Sequence, residues 1–159
     1  MAAEYTNIQR KLLNLANNGE PMRIAVTTVF AEQKARIFER GMSTNQGKIG
    51  RYGTNPISIS KKRQAKQTGK TYFKGGYAEY KSAIGKNPGF VNLVNTGQMQ
   101  ADYGVLRKGR NFGFGFQNTE NFEKTEWAES RFKKDIFEVN DKELNLFSRV
   151  IDFGVRRRL

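Results

Sequence analysis

The sequence contains no cysteine and no histidine, only three prolines, and 15 acidic against 28 basic side chains. Without cysteine there are no disulfides, no thiol chemistry and no thiolate metal site, which fits a reducing cytosol. Without histidine or cysteine, Ser-His and Cys-His nucleophilic schemes and the usual zinc ligand sets are excluded. No apolar run approaches the roughly 20 residues that a membrane-spanning helix requires. Glu4 stands where a secretion signal would carry basic charge. These absences predict a soluble chain made in the cytoplasm, with no membrane partner. Its 159 residues are enough for one domain over 1–159 that buries a core.

The shortage of acid is local. From Gly41 to Ala78 the chain carries Lys48, Arg51, Lys61, Lys62, Arg63, Lys66, Lys70 and Lys74 with no Asp or Glu. Gly47, Gly50, Gly53, Gly69, Gly75 and Gly76 and the aromatics Tyr52, Tyr72, Phe73 and Tyr77 lie between these bases. A stretch this glycine-rich and self-repelling gains little from folding alone. It reads as a basic arm, 41–76, inserted into the domain, disordered in the free subunit and ordered by an acidic or backbone-pairing partner. The net charge of +13 is polarised: residues 119–154 sum to −3 while 41–78 sum to +8. Such polarity suits head-to-tail contact between identical subunits.

Hydrophobic spacing places the elements. Thr6 with Gln9 is a capping-box pattern opening a short helix with Ile8, Leu12, Leu13 and Leu15. Pro21 begins a second helix whose stripe is Met22, Val26, Val29, Phe30 and Ile37, stopped by Gly41. Alternation around Ile57 and Ile59, beside Pro56, makes the arm a long, loose hairpin or extended loop. Tyr77 to Ile84 reads as a short helix, and Thr96 can cap another. Val105-Leu106 and Phe112 to Phe116 form a hairpin with phenylalanines on one face and glycines on the other, open to close approach by a backbone or helix. Ile136 to Val139 reads as a strand. Asn140 with Glu143 repeats the capping box and opens a last helix with Leu144, Phe147, Ile151 and Val155 inward. The class is α+β: a small, mainly antiparallel sheet packed by N- and C-terminal helices, with the long basic arm as an extension. Val26, Val29, Phe30, Leu106, Phe114, Phe116, Ile136, Phe137, Leu144, Phe147 and Ile151 are the expected core.

Catalytic patterns fail on inspection. Gly69-Lys70-Thr71 resembles the end of a phosphate-binding loop, but Gln64 stands where the pattern needs glycine. Asp135 and Glu138 follow Lys133 and Lys134, the reverse of the acid-acid-lysine order of metal-dependent nucleases. Glu120, Glu123, Glu126 and Glu129 recur every third residue, as a solvated or partner-facing acidic face does. We expect no catalytic residues, no metal and no cofactor. The expected contacts to neighbouring proteins or DNA are Lys61, Lys62, Arg63, Lys66 and Lys70, with Arg156, Arg157 and Arg158 as a second patch. The alternative is a basic nucleic-acid-binding protein using the 41–76 arm. Its lysines would neutralise phosphates, and Tyr52, Tyr72 and Phe73 would stack on unpaired bases.

Several short segments occur in the order of a known family. Val94-Asn95-Thr96-Gly97-Gln98-Met99 turns into a short helix, followed by a strand pair ending Gly115-Phe116-Gln117. Ala128-Glu129-Ser130-Arg131-Phe132, then Ile136-Phe137-Glu138-Val139, then Glu143 in the closing helix follow, with the amphipathic Ile24 to Phe38 and glycine-rich arm before them. In this the chain resembles the virion-morphogenesis and tail-completion proteins of tailed bacteriophages, found in the neck. The resemblance implies a virion structural protein, a head–tail connector component. It would form a homo-oligomeric ring between adjacent portal or connector and tail proteins, surrounding the DNA channel, with non-specific contact to genomic DNA there. It implies no active site, and a location in the virion after synthesis in the bacterial host.

Overall fold

The computed structural model describes residues 19–60, 69–109 and 111–156. The helix expected around Thr6 to Leu15 lies outside them. Helix α1 spans Glu20–Lys34 with Pro21 in its first turn. It continues into a wider π-helical turn, Ala35–Glu39, which turns Arg36, Ile37 and Phe38 all inward. Gly41 ends the helix, as its position predicts. Its φ is +61°, and a Cβ there would lie 2.3 Å from Phe90 Cδ2 and 2.5 Å from the Val91 carbonyl oxygen.

The chain then folds a first antiparallel pair, β1 (Ile57–Ser58) with β2 (Tyr72–Phe73). Helix α2 (Gly76–Ala83) and the short α3 (Gln98–Asp102) follow. Thr96 helps start α3, since its Oγ1 accepts from the Gln98 amide at 3.3 Å. A second antiparallel pair, β3 (Tyr103–Lys108) and β4 (Asn111–Phe116), is registered Tyr103 to Phe116 and Lys108 to Asn111. Helices α4 (Thr119–Phe132) and α5 (Asp141–Arg156) close the described chain. The molecule is α+β as expected, and its strands form two separate pairs.

The core is Ile37, Phe38, Ile49, Val91, Tyr103, Ala128 and Ile136, with Phe30, Phe114, Phe116 and Phe137 packed against it. Tyr103 is its hub: Phe116 lies 4.7 Å from it between ring centroids, Phe30 5.5 Å, Phe137 5.7 Å and Phe38 6.0 Å. Its hydroxyl donates to Gln33 Oε1, and burial raises its pKa.

Four expectations are corrected. First, the arm is not one loose excursion. Ser43 and Ile49 are fully buried, Ile49 belongs to the core, and Met42 bridges to Lys48. The hairpin itself is present, with Ile59 donating to the Thr71 carbonyl at 2.9 Å and Phe73 fully buried. Gly76 marks a close approach, since a Cβ there would meet the Asn55 carbonyl oxygen at 2.4 Å. Second, Ile136 to Val139 is not a strand. Side chains satisfy its backbone instead: Glu129 Oε1 accepts from the amides of Ile136 and Phe137 at 2.8 and 3.0 Å, and Gln33 Nε2 donates to the carbonyls of Phe137 and Glu138. Third, Glu129 therefore turns inward and leaves the acidic face. Fourth, Met22 and Leu144 are 41% and 53% exposed, and Leu106 is only partly buried. The inward stripe of α1 is Pro21, Ala25, Val26, Val29 and Gln33, because α5 crosses closely enough that a Cβ on Gly154 would touch Pro21 Cβ at 3.4 Å.

The capping box is as expected. Asn140 Oδ1 accepts from the Glu143 amide at 3.0 Å, and Glu143 Oε2 accepts from the Asn140 amide at 2.9 Å. Its glutamate has a second role that spacing could not show. Arg36 Nε donates to Glu143 Oε1 at 2.7 Å, with both side chains almost fully buried. The remaining guanidinium donors reach Met42 O, Ile136 O, Glu138 O and Glu143 Oε2. All five N–H groups of Arg36 thus have acceptors, and one ion pair joins the π turn, the Gly41 turn, the 136–138 segment and the start of α5.

Candidate functional site

The expected contact residues fall into two groups. Lys61, Lys62, Arg63, Lys66, Arg157 and Arg158 lie outside the described residues. Lys70 and Arg156 are described, and each is engaged by an acid of its own chain. Lys70 Nζ lies 2.5 Å from Glu79 Oε1 and 5.2 Å from the Phe73 ring centre. The hydrogen bond from Lys70, with another from the Gly75 amide, holds the Glu79 carboxyl below the usual carboxylate range. Arg156 makes a double contact to Asp152, Nε to Oδ1 and Nη2 to Oδ2, both at 3.0 Å. Of the three aromatics expected to stack on bases, Tyr72 is exposed, Tyr52 is half-buried and Phe73 is fully buried, so Phe73 cannot stack.

Among the described residues, no three Asp or Glu side chains gather at metal-holding distance. Of the acid-lysine set around Lys133, Lys134 Nζ donates to the Lys48 carbonyl at 2.5 Å and Lys133 closes α4 in a left-handed conformation.

Two features remain. The first is a cavity of about 510 Å³ between the Arg51–Gly53 segment, α2, the start of α3 and one face of α4. Arg51, Lys81, Lys124 and Arg131 contribute cations to its lining, Tyr52, Tyr77, Trp127 and Phe132 contribute rings, and no carboxylate takes part. Lys81 is 2% exposed. Its Nζ donates to the Val94 carbonyl and to Asn95 Oδ1 and lies 5.3 and 5.5 Å from the centres of the Tyr52 and Tyr77 rings. Burial, with repulsion from Lys86, pulls its pKa down to about 8. Burial also raises the Tyr52 phenol, opposed by the hydrogen bond it accepts from the Asn92 amide. At the rim, Arg131 lies over the indole of Trp127 at 5.2 Å, and Trp127 is 62% exposed. Lys124 donates to Asn121 Oδ1, and Asn121 is held by Asp102.

Sequence reasoning missed this cavity because Lys81 reads as one ordinary lysine of a short helix. The available signal was Trp127 and Arg131 at i,i+4, the spacing that stacks side chains on a helix face.

The second feature is partly exposed apolar surface. Helix α5 carries Leu144, Leu146, Phe147, Val150, Ile151, Phe153 and Val155; Leu146, Phe147, Val150, Ile151 and Val155 are half-buried, and Glu143 is its one fully buried residue. Leu144 and Phe153 are 53% and 62% exposed, and Met22 and Ile24 on α1 are exposed as well. On the second strand pair, the face opposite the phenylalanines is sparsely covered: a Cβ on Gly113 would meet nothing within 4 Å and one on Gly104 only the Asp102 carbonyl oxygen at 4.0 Å, while one on Gly115 would meet Leu106 Cδ1 at 3.3 Å.

No protein-family model, no curated protein and no solved structure matches this chain. Among the described residues, no helix is long and apolar enough to cross a membrane.

Proposed function

We propose that this chain is a structural subunit of a tailed-phage virion, forming a homo-oligomeric ring in the neck that joins portal and tail and surrounds the DNA channel. The observation that carries the assembly part is the outer side of α5, where Leu144 and Phe153 stay 53% and 62% exposed, with Met22 and Ile24 of α1 exposed as well. Large apolar side chains left this exposed fit a surface that another subunit covers. In a ring, one surface of each subunit meets a different surface of the next. The contrast between the basic first half and the acidic 119–154 region supplies charge for that contact. The order of short motifs from Val94 to Glu143 supports the neck as the place.

The test is Leu144→Ser combined with Phe153→Ser. Both residues are exposed in the single chain, so the fold should lose less than about 1 kcal/mol. Sedimentation of the nuclease-treated protein is expected to show a closed oligomer for the native chain and monomer for the variant. Native chain that sediments only as monomer, alone and with neck partners, would sink the proposal.

A further inference from the structure

We infer that the basic aromatic cavity is a binding site for a nucleoside phosphate, with the base stacked on the indole of Trp127 and the phosphate among Arg51, Lys81 and Lys124. The site is separate from the α5 face and does not rest on the assembly reading.

Three observations converge. The cavity volume of about 510 Å³ falls within the range of small-molecule sites. Its four cations have no carboxylate partner among the described residues, although the acid-bearing α4 forms one wall. Lys81 is a built part of the site. A buried ammonium held by a carbonyl, an amide oxygen and two tyrosine rings has dipoles around it but no counter-charge. An anion bound beside it would supply that charge in a low-dielectric setting, where the pair interacts strongly.

The rings decide the class of anion. A carboxylate-rich peptide would use the cations and leave the indole idle. A nucleotide uses both, because every base has a π face for Trp127 and phosphate oxygens for the lysines and arginine. Asn95, Thr96 and Gln98 at the mouth can bond base edges or ribose hydroxyls. The shared chemistry is that of a nucleoside phosphate, whether free or unpaired within a strand.

Trp127 is the single tryptophan, so its fluorescence reports on the site directly. The nuclease-treated protein is titrated with AMP, an unpaired oligothymidylate, the matching duplex, inorganic phosphate and a polyglutamate peptide. Saturable quenching by AMP or by the unpaired strand is expected. Equal response to both identifies a free-nucleotide site, and response to the strand alone identifies an unpaired-strand site. Lys81→Met, and separately the surface pair Lys124→Ala with Arg131→Ala, should weaken binding about tenfold or more. Trp127→Ala, read by the anisotropy of a labelled strand, should weaken it comparably while the far-ultraviolet circular dichroism stays unchanged. The inference is overturned by no saturable quenching with AMP or strand, by polyglutamate matching the nucleotides, or by the surface pair leaving affinity unchanged.

Discussion

Arg36 and Glu143 form an almost fully buried ion pair in the described fold. Removing either partner strands the other in the core. Arg36→Ala or Glu143→Ala is therefore expected to cost about 3–5 kcal/mol in urea unfolding, and a loss under about 1 kcal/mol would show that the pair is dispensable. Lys81 makes a second prediction at this scale. Its folded pKa of about 8 lies below its unfolded value of 10.5, so between those limits the unfolded chain holds more protons. Stability contributed by Lys81 must then rise with pH in that window, at up to about 1.4 kcal/mol per pH unit. Comparing native protein with Lys81→Met from pH 8 to 9.5 isolates the rise, and parallel profiles would contradict it. Arg36 was visible in the sequence only as one base among many, because four of its five acceptors lie about a hundred residues further along the chain. Glu143 was legible as half of its capping box, since that pattern is local.

At the scale of elements, what could be read was what local chemistry decides. The Gly41 stop, the short helix after Gly76, the glycine-phenylalanine hairpin and the start of α5 all follow from neighbouring residues. Ile136 to Val139 has a strand's composition, but Glu129 takes the amides of Ile136 and Phe137, and Gln33 and Arg36 take the carbonyls of Ile136, Phe137 and Glu138, which a ladder would need. The basic arm was misread for a related reason. Glycine content was taken as freedom, whereas Gly41 and Gly76 sit where a Cβ would strike backbone oxygens. Gly41→Ala should consequently cost more than the roughly 1–3 kcal/mol of a strained φ alone, measured as a lowered melting temperature or loss of folded protein. A variant as stable as the native chain would restore the loose-arm reading. The cavity was illegible for a third reason: its cations and rings come from segments as far apart as Arg51 and Phe132, and no local pattern announces such a meeting.

For the whole molecule, the described chain is a folded body with unfinished surfaces. A network of buried polar bonds and an aromatic cluster around Tyr103 give it a defined interior. The exposed Leu144 and Phe153 of α5, the glycine face of the second hairpin and the polarised charge are surfaces that fit other proteins. The proposed assembly subunit would use all three. The measurement that tests this most directly is native mass spectrometry of the nuclease-treated protein, alone and mixed with candidate portal and tail partners. The account predicts a closed oligomer or incorporation into a partner's ring. A persistent monomer that ignores those partners while shifting a labelled nucleic acid would contradict it and leave a nucleic-acid-binding protein in its place.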